Sequence, residues 1–245
     1  MGLHFSWTRA KEKDRNERPW CSVVVPAAGN ASRMEGTDKI LADLAGMPVI
    51  AHTLLALQQC PYVDEIVVVT REDLMAPIGQ IARQYDCRKV TRVVRGGSTR
   101  AASVSIGVGR TDPRAQLIGI HDGARPLVSQ AVLEEVFTRA AATGAAAPAV
   151  PVKDTIKRVR TGEVVTATVP RSDLRAVQTP QVFDADLIKA ALHRAMEREL
   201  PITDDCSAVE RMGMSVKLVE GDEGNLKVTT PLDLKIAELL LEDEA

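Results

Sequence analysis

The chain has 245 residues, 45% of them hydrophobic, and carries 31 Lys+Arg against 33 Asp+Glu. That length suits one large α/β domain, and the even charge gives no broad basic face of the kind nucleic acid requires. Four scattered cysteines without a C-x-x-C pair, and the lack of any apolar run of about 18 residues, argue against a zinc ribbon, a disulfide framework and a membrane span.

Residues 1–19 mix Lys, Arg, Asp and Glu and lack an apolar core. They read as a disordered extension, not a signal peptide, ahead of a single domain over 20–245. Cys21–Val25 is a short apolar run that predicts a strand buried on both faces of a parallel sheet. Pro26, Ala27, Ala28 and Gly29 follow, then Arg33 and Lys39. Small residues after a buried strand let a ligand approach the main chain, whose N–H groups favour anionic oxygen. Arg33 offers a planar fork and Lys39 a point charge, so the stretch reads as a polyphosphate cradle. It fits neither G-x-G-x-x-G nor the P-loop, which argues against a dehydrogenase or a P-loop kinase.

Strands and helices then alternate. Val49–Gln59 predicts a helix with Ile50, Leu54 and Leu57 on one face, and Glu65–Thr70 a strand. Glu72–Gln84 predicts a helix interrupted near Pro77, Thr91–Val94 a strand, and Arg100–Val108 a helix. Leu117–His121 is a strand, Gln130–Thr143 a helix ending at Gly144, and Ala145–Val152 another strand. This alternation predicts βαβ units and a mostly parallel sheet covered on both faces. Lys153–Arg160 and Glu163–Val169 break the pattern as a hairpin about Thr161-Gly162, too small to bury a core alone. Helices over Asp184–Glu199 and from Thr203 to Met212, a strand at Ser215–Val219 and a helix over Pro231–Leu240 complete the frame.

In such sheets ligands sit beyond the carboxyl ends of the strands. Residues 26–33 follow the first strand, Arg95-Gly96-Gly97-Ser98 the third, His121–Pro126 the fourth, Asp154-Thr155 the fifth and Gly221–Lys227 the last. Asp122 has the oxygen chemistry to hold a hard cation such as Mg²⁺. Ser98 before a helix reads equally well as a plain N-cap.

Together these segments resemble the 2-C-methyl-D-erythritol 4-phosphate cytidylyltransferases of the non-mevalonate isoprenoid pathway. The resemblance runs over about residues 21 to 240 and rests on an ordered set of motifs. These are Pro-Ala-Ala-Gly-x-x-x-Arg-Met at 26–34, Lys39, Gly96-Gly97 with Arg100 and Ser103, and His-Asp-Gly-Ala-Arg-Pro at 121–126. The set continues with Pro-Val-Lys-Asp-Thr-Ile-Lys at 151–157, Arg171, Gln-Thr-Pro-Gln at 178–181, Ile-Thr-Asp-Asp at 202–205 and Asn-x-Lys-Val-Thr at 225–229.

The resemblance implies a three-layer, Rossmann-like α/β fold of the nucleotide-diphospho-sugar transferase type, with a projecting β-hairpin dimerisation arm. It implies a cytoplasmic, homodimeric, Mg²⁺-dependent nucleotidyltransferase that moves CMP from CTP to 2-C-methyl-D-erythritol 4-phosphate and releases pyrophosphate. By that likeness Arg33 and Lys39 stabilise the transition state, and Arg171 and Lys227 position the acceptor phosphate. Pro26, Ala27, Ala28, Gly29, Gly97, Ser98 and Ser103 would bind CTP. Asp122, Arg125, Thr155, Thr179 and Thr203 would face the acceptor, with Asp122 also at the metal and Thr155 and Arg171 serving the partner subunit. Ala31, Ile40 and Ser98 depart from the family's usual glycine, glutamine and acid. A cytidylyltransferase for ribitol 5-phosphate is the nearest rival. A non-catalytic nucleotide binder and a glycosyltransferase stand further off, the latter lacking Asp-x-Asp after a central strand.

Overall fold

The structure, a computed structural model, describes residues 18–29, 38–160 and 162–243. The expectation for the N-terminal extension (over 1–17) and those for Ala31 and Arg33 lie outside the described residues. Arg18 is described, and its guanidinium meets the Asp64 carboxylate at 2.7 Å.

Strand β1 (Cys21–Pro26) lies inside the sheet, paired in parallel with β4 (Glu65–Thr70) on one side and β6 (Leu117–Ile120) on the other. Between β1 and β4 come a two-rung ladder, β2 (Asp43–Leu44) with β3 (Met47–Pro48), and helix α1 (Val49–Gln59). Helix α2 (Glu72–Gln84) leads to β5 (Val90–Arg95), which pairs in parallel with β4. Helix α3 (Arg100–Val108) leads to β6, and α4 (Gln130–Thr143) to β7 (Ala145–Pro151). The hairpin is β8 (Ile156–Val159) with β9 (Val165–Val169), a separate two-stranded sheet.

The chain returns through β10 (Arg175–Val177) and β11 (Gln181–Asp184), both antiparallel to β7. Neither was anticipated, because each is too short to show a period. Strand β11 lies between β6 and β7 and runs against both, so the sheet is mixed. Helices α5 (Ala185–Glu197) and α6 (Asp205–Glu210), strand β12 (Lys217–Glu220), parallel to β7, and helix α7 (Pro231–Asp243) finish the fold.

The period-2 alternation of β1 sorts the core into two layers. Val23 and Val25 face α1, α2 and α4 through Leu54, Ile78 and Phe137. Val24 faces α3, α5 and α6 through Val104, Ile188 and Val209. Helix α2 runs through Pro77 without a break. Leu74, Ile78, Ile81 and Ala82 pack on either side of it, and burial of that face outweighs one lost backbone hydrogen bond. Asp184 and Asp204 cap α5 and α6 through their carboxylates.

Gly107 sets the distance between α3 and the sheet. A Cβ there would lie 2.4 Å from Val24 Cγ1 and 2.6 Å from Val69 Cγ2, two side chains with no free space to yield. Gly107→Ala is therefore expected to cost about 1–3 kcal/mol by overpacking, read as a lower denaturation midpoint. An unchanged midpoint would contradict this packing.

Candidate active site

The carboxyl ends of β1, β4, β5 and β6 open onto a cleft of about 820 Å³. Its floor is the loop after β1. The Ala27 N–H donates to the Val69 carbonyl at 2.7 Å, and the Thr70 hydroxyl donates to the Ala27 carbonyl at 3.0 Å. The cradle is thus tied to the end of β4 before any ligand arrives. Lys39 reaches over it: a Cβ on Gly29 would lie 3.9 Å from the Lys39 Cε.

The turn after β5 needs its glycines. A Cβ on Gly96 would lie 2.7 Å from Ser103 Oγ, and one on Gly97 would lie 2.6 Å from the Ala102 Cβ. Ser103 is buried; its hydroxyl accepts from the Gly97 N–H at 3.1 Å and donates to the Thr99 carbonyl at 2.9 Å. It shapes the turn. Thr99, not Ser98, caps α3, accepting from the Ala102 N–H at 3.1 Å. Ser98 is left exposed on the cleft wall.

Among the described residues five cationic side chains line the cleft, namely Lys39, Arg71, Arg95, Arg100 and Lys227, against two carboxylates, Glu72 and Asp122. Such an excess attracts an anion into a partly desolvated space. Arg71 is aimed by Asp38 at 2.7 Å and reaches the Gly29 carbonyl at 3.3 Å. Reasoning from the sequence missed Arg71, although it follows a strand as the other site residues do. Arg95 meets Glu72 at 3.1 Å on the rim.

Asp122 is the hub. Its carboxylate takes Lys227 Nζ at 2.7 Å, with Arg100 at 3.6 Å and Arg125 at 3.7 Å. Burial alone would raise its pKa, but Lys227, Arg100 and Arg125 outweigh burial and bring it down to about 2. The group is an anion at any physiological pH.

The backbone under Asp122 is held by a directed chain of hydrogen bonds. His121 Nε2 lies 3.2 Å from the Arg125 carbonyl, which can only accept, so Nε2 carries the proton. Nδ1 then accepts from the Thr179 hydroxyl at 3.0 Å, and that oxygen in turn accepts from the Asp122 N–H at 3.1 Å. Burial pushes the His121 imidazole down to about 4.

The loop after β12 is clamped just as closely. The Gln178 side-chain amide donates to the Asp222 carbonyl at 2.7 Å and accepts from the Asp222 N–H at 3.2 Å. Asn225 is fully buried and donates to the Thr179 carbonyl at 3.0 Å, while Arg125 donates to the Asn225 carbonyl at 2.5 Å. The Val228 N–H donates to the Ala124 carbonyl at 2.8 Å. These bonds bring Lys227 to Asp122 across the cleft.

The structure therefore gathers Pro26–Gly29, Lys39, Gly97, Ser98, Ser103, Asp122 and Lys227 around one cleft. Arg125 lies beneath it and Thr179 behind Asp122, only 4% exposed. Arg171 and Thr155 stand apart at the base of the hairpin, both exposed, with Arg171 donating to the Lys153 carbonyl at 3.0 Å. Thr203 is exposed just ahead of α6. Among the described residues no three His, Cys, Asp or Glu side chains converge as a metal cage. No helix among them is long and apolar enough to cross a membrane.

The family model described as IspD, 2-C-methyl-D-erythritol 4-phosphate cytidylyltransferase, matches residues 21–243. The chain belongs to this family. The enzyme of that name from Halalkalibacterium halodurans is 44% identical over 224 residues, covering 91% of this chain and 97% of its own. That from Symbiobacterium thermophilum is 45% identical over 227 residues, covering 91% and 94%. Among solved structures, the 4-diphosphocytidyl-2C-methyl-D-erythritol synthase of Anaerococcus prevotii superposes with a TM-score of 0.81 at 29% identity, covering 91% of this chain and 96% of its own. The Thermus thermophilus cytidylyltransferase gives 0.75 at 32% identity, covering 91% and 99%. The three-layer α/β fold is that of this family.

A His whose folded pKa lies below its unfolded value binds fewer protons when folded. Its stabilising contribution is complete above pH 6.5 and is lost as pH falls toward 4. The loss amounts to about 3 kcal/mol for a shift of this size. His121→Gln is expected to be less stable at neutral pH, with a flatter stability profile between pH 6.5 and 4 than the wild type, read by denaturant melts. Parallel profiles for the two proteins would show that His121 is not buried neutral.

Proposed function

We propose that this chain transfers CMP from CTP to 2-C-methyl-D-erythritol 4-phosphate, giving the CDP-linked methylerythritol and pyrophosphate in isoprenoid precursor synthesis. Family membership makes it a nucleotidyltransferase. The observation that carries the mechanism is the Lys227–Asp122 pair at 2.7 Å, facing the main-chain cradle across a cation-rich cleft.

The acceptor's phosphate oxygen attacks the α-phosphorus of CTP. A new P–O bond forms, the bond to the β-phosphate oxygen breaks, and pyrophosphate leaves with the electron pair. The nucleophile is already an anion, so no general base is needed. The barrier lies in bringing two anions together and in the charge that builds on the leaving group. Lys39 and Arg33 would hold charge on the triphosphate, and Lys227 and Arg171 would position the acceptor phosphate. Pro26–Gly29, Gly97 and Ser98 would meet the nucleotide, with Ser103 fixing the turn. Arg125, Thr155, Thr179 and Thr203 would serve the acceptor side, Thr179 by holding the backbone of Asp122.

Mg²⁺ fits the residues present. It keeps most of its waters and takes one or two carboxylates together with substrate phosphates. Asp122, an ionised carboxylate on the cleft wall, would hold it together with the triphosphate. When bound, the ion would supply neutralisation of phosphate charge.

The hairpin fits a homodimer. Val159, Val164 and Val165 are 55%, 71% and 53% exposed on an arm that no strand of the main sheet pairs with. A partner's surface would bury them and bring Thr155 and Arg171 to a neighbouring cleft. Four buried thiols with no disulfide among them suit a cytoplasmic enzyme.

Pyrophosphate release with CTP and Mg²⁺ is expected to depend on methylerythritol phosphate; equal or faster turnover with ribitol 5-phosphate would reassign the acceptor. Lys39→Ala and Arg33→Ala should each lower kcat by about 10²-fold or more with the fold retained by circular dichroism. Wild-type rates in both would refute the charge-stabilisation mechanism. Deleting 156–168 should convert a dimer to a monomer by light scattering, and an unchanged mass would remove the arm from the interface.

A further inference from the structure

Arg100 is the first residue of α3, and Asp205 the first residue of α6. Asp205 is fully buried, with its Oδ2 2.8 Å from Arg100 Nη2. Its Oδ1 is also buried and has no hydrogen-bond partner among the described residues. The end of α6 that carries it is locked: the N–H groups of Asp205 and Cys206 both donate to Gln181 Oε1 at 3.0 Å. A carboxylate held this rigidly in the interior is costly unless a cation answers it.

Arg100 supplies that cation and still reaches the cleft. Its side chain is 36% exposed and lines the cavity between the Gly96-Gly97 turn and Asp122. Its nearest Asp122 oxygen is 3.6 Å away, longer than a hydrogen bond. Among the described residues its Nε and Nη1 groups have no hydrogen-bond acceptor. An arginine fork with one nitrogen anchored from behind, on a partly exposed side chain that lines a cationic cleft, is prepared for an anion.

We propose that Arg100 binds a phosphate group of the nucleoside triphosphate, and that Asp205 is the buried positioning residue that holds Arg100 toward it. This rests on the cytidylyltransferase reading. Asp122 and Asp205 then do different work: Asp122 gathers Lys227, while Asp205 anchors Arg100 and leaves its remaining donors to the ligand.

The test is isothermal titration of CTP with Mg²⁺ into wild type, R100Q, R100K, D205N and the neutral double variant R100Q/D205N. The double variant removes both charges, so it leaves no uncompensated ion and is expected to fold. It should bind CTP about tenfold or more weakly, as loss of a charge-assisted contact predicts. R100K should fall between it and the wild type, and D205N should weaken binding about threefold or more while circular dichroism is unchanged. In steady state the KM for CTP should rise more than kcat falls. Because Asp205 acts through Arg100, D205N should add nothing to R100Q. Wild-type affinity in the double variant overturns the proposal, as does a D205N protein that melts earlier yet binds CTP normally. A wild type that binds no CTP overturns instead the cytidylyltransferase reading on which the proposal stands.

Discussion

Asp122 sits where three cations from three segments meet: Arg100 from α3, Arg125 from its own turn and Lys227 from the loop after β12. A lone buried carboxylate would take up a proton. Ringed by these cations it stays ionised, and in return it draws them toward one point. The cleft's geometry follows from that mutual need. The cations repel each other, and Lys227, which has no other carboxylate partner among the described residues, would turn to solvent without Asp122.

The supports of this hub are neutral and buried. His121, Thr179, Gln178 and Asn225 carry no charge in the folded protein, yet they decide where Asp122 and Lys227 stand. Hydrogen bonds suit this task because they are directional, whereas ion pairs tolerate a wide range of angles. Thr179 joins the two halves. Its hydroxyl accepts from the Asp122 N–H, and its carbonyl accepts from Asn225 in the loop that bears Lys227.

Much of the frame was legible in the residues. Leu54 and Leu57 marked α1, the helix expected from Asp184 begins one residue later with Asp184 as its cap, and the Thr161-Gly162 turn marked the hairpin. The errors have physical causes. Pro77 did not interrupt α2, because buried neighbours on both sides fix that helix. Strand β11 was missed, because two apolar residues between Gln181 and Asp184 carry no period, and only its place between β6 and β7 makes it a strand. Ser98 offered one reading as a cap, but the cap is Thr99, one residue on.

Local order in the chain was enough for the cradle, for the cations that follow it and for the family, since all are set by neighbours in sequence. Pro26–Gly29 follows a strand, and Gly96-Gly97 precedes a helix, whatever the rest of the chain does. The partners of those groups were decided only by the tertiary structure. Lys227 meets Asp122, Arg100 meets Asp205, and Arg71 meets Asp38, each pair brought together by strand order and loop clamping. The sequence specified which charges are present; packing in three dimensions chose which of them face each other and which remain for a ligand.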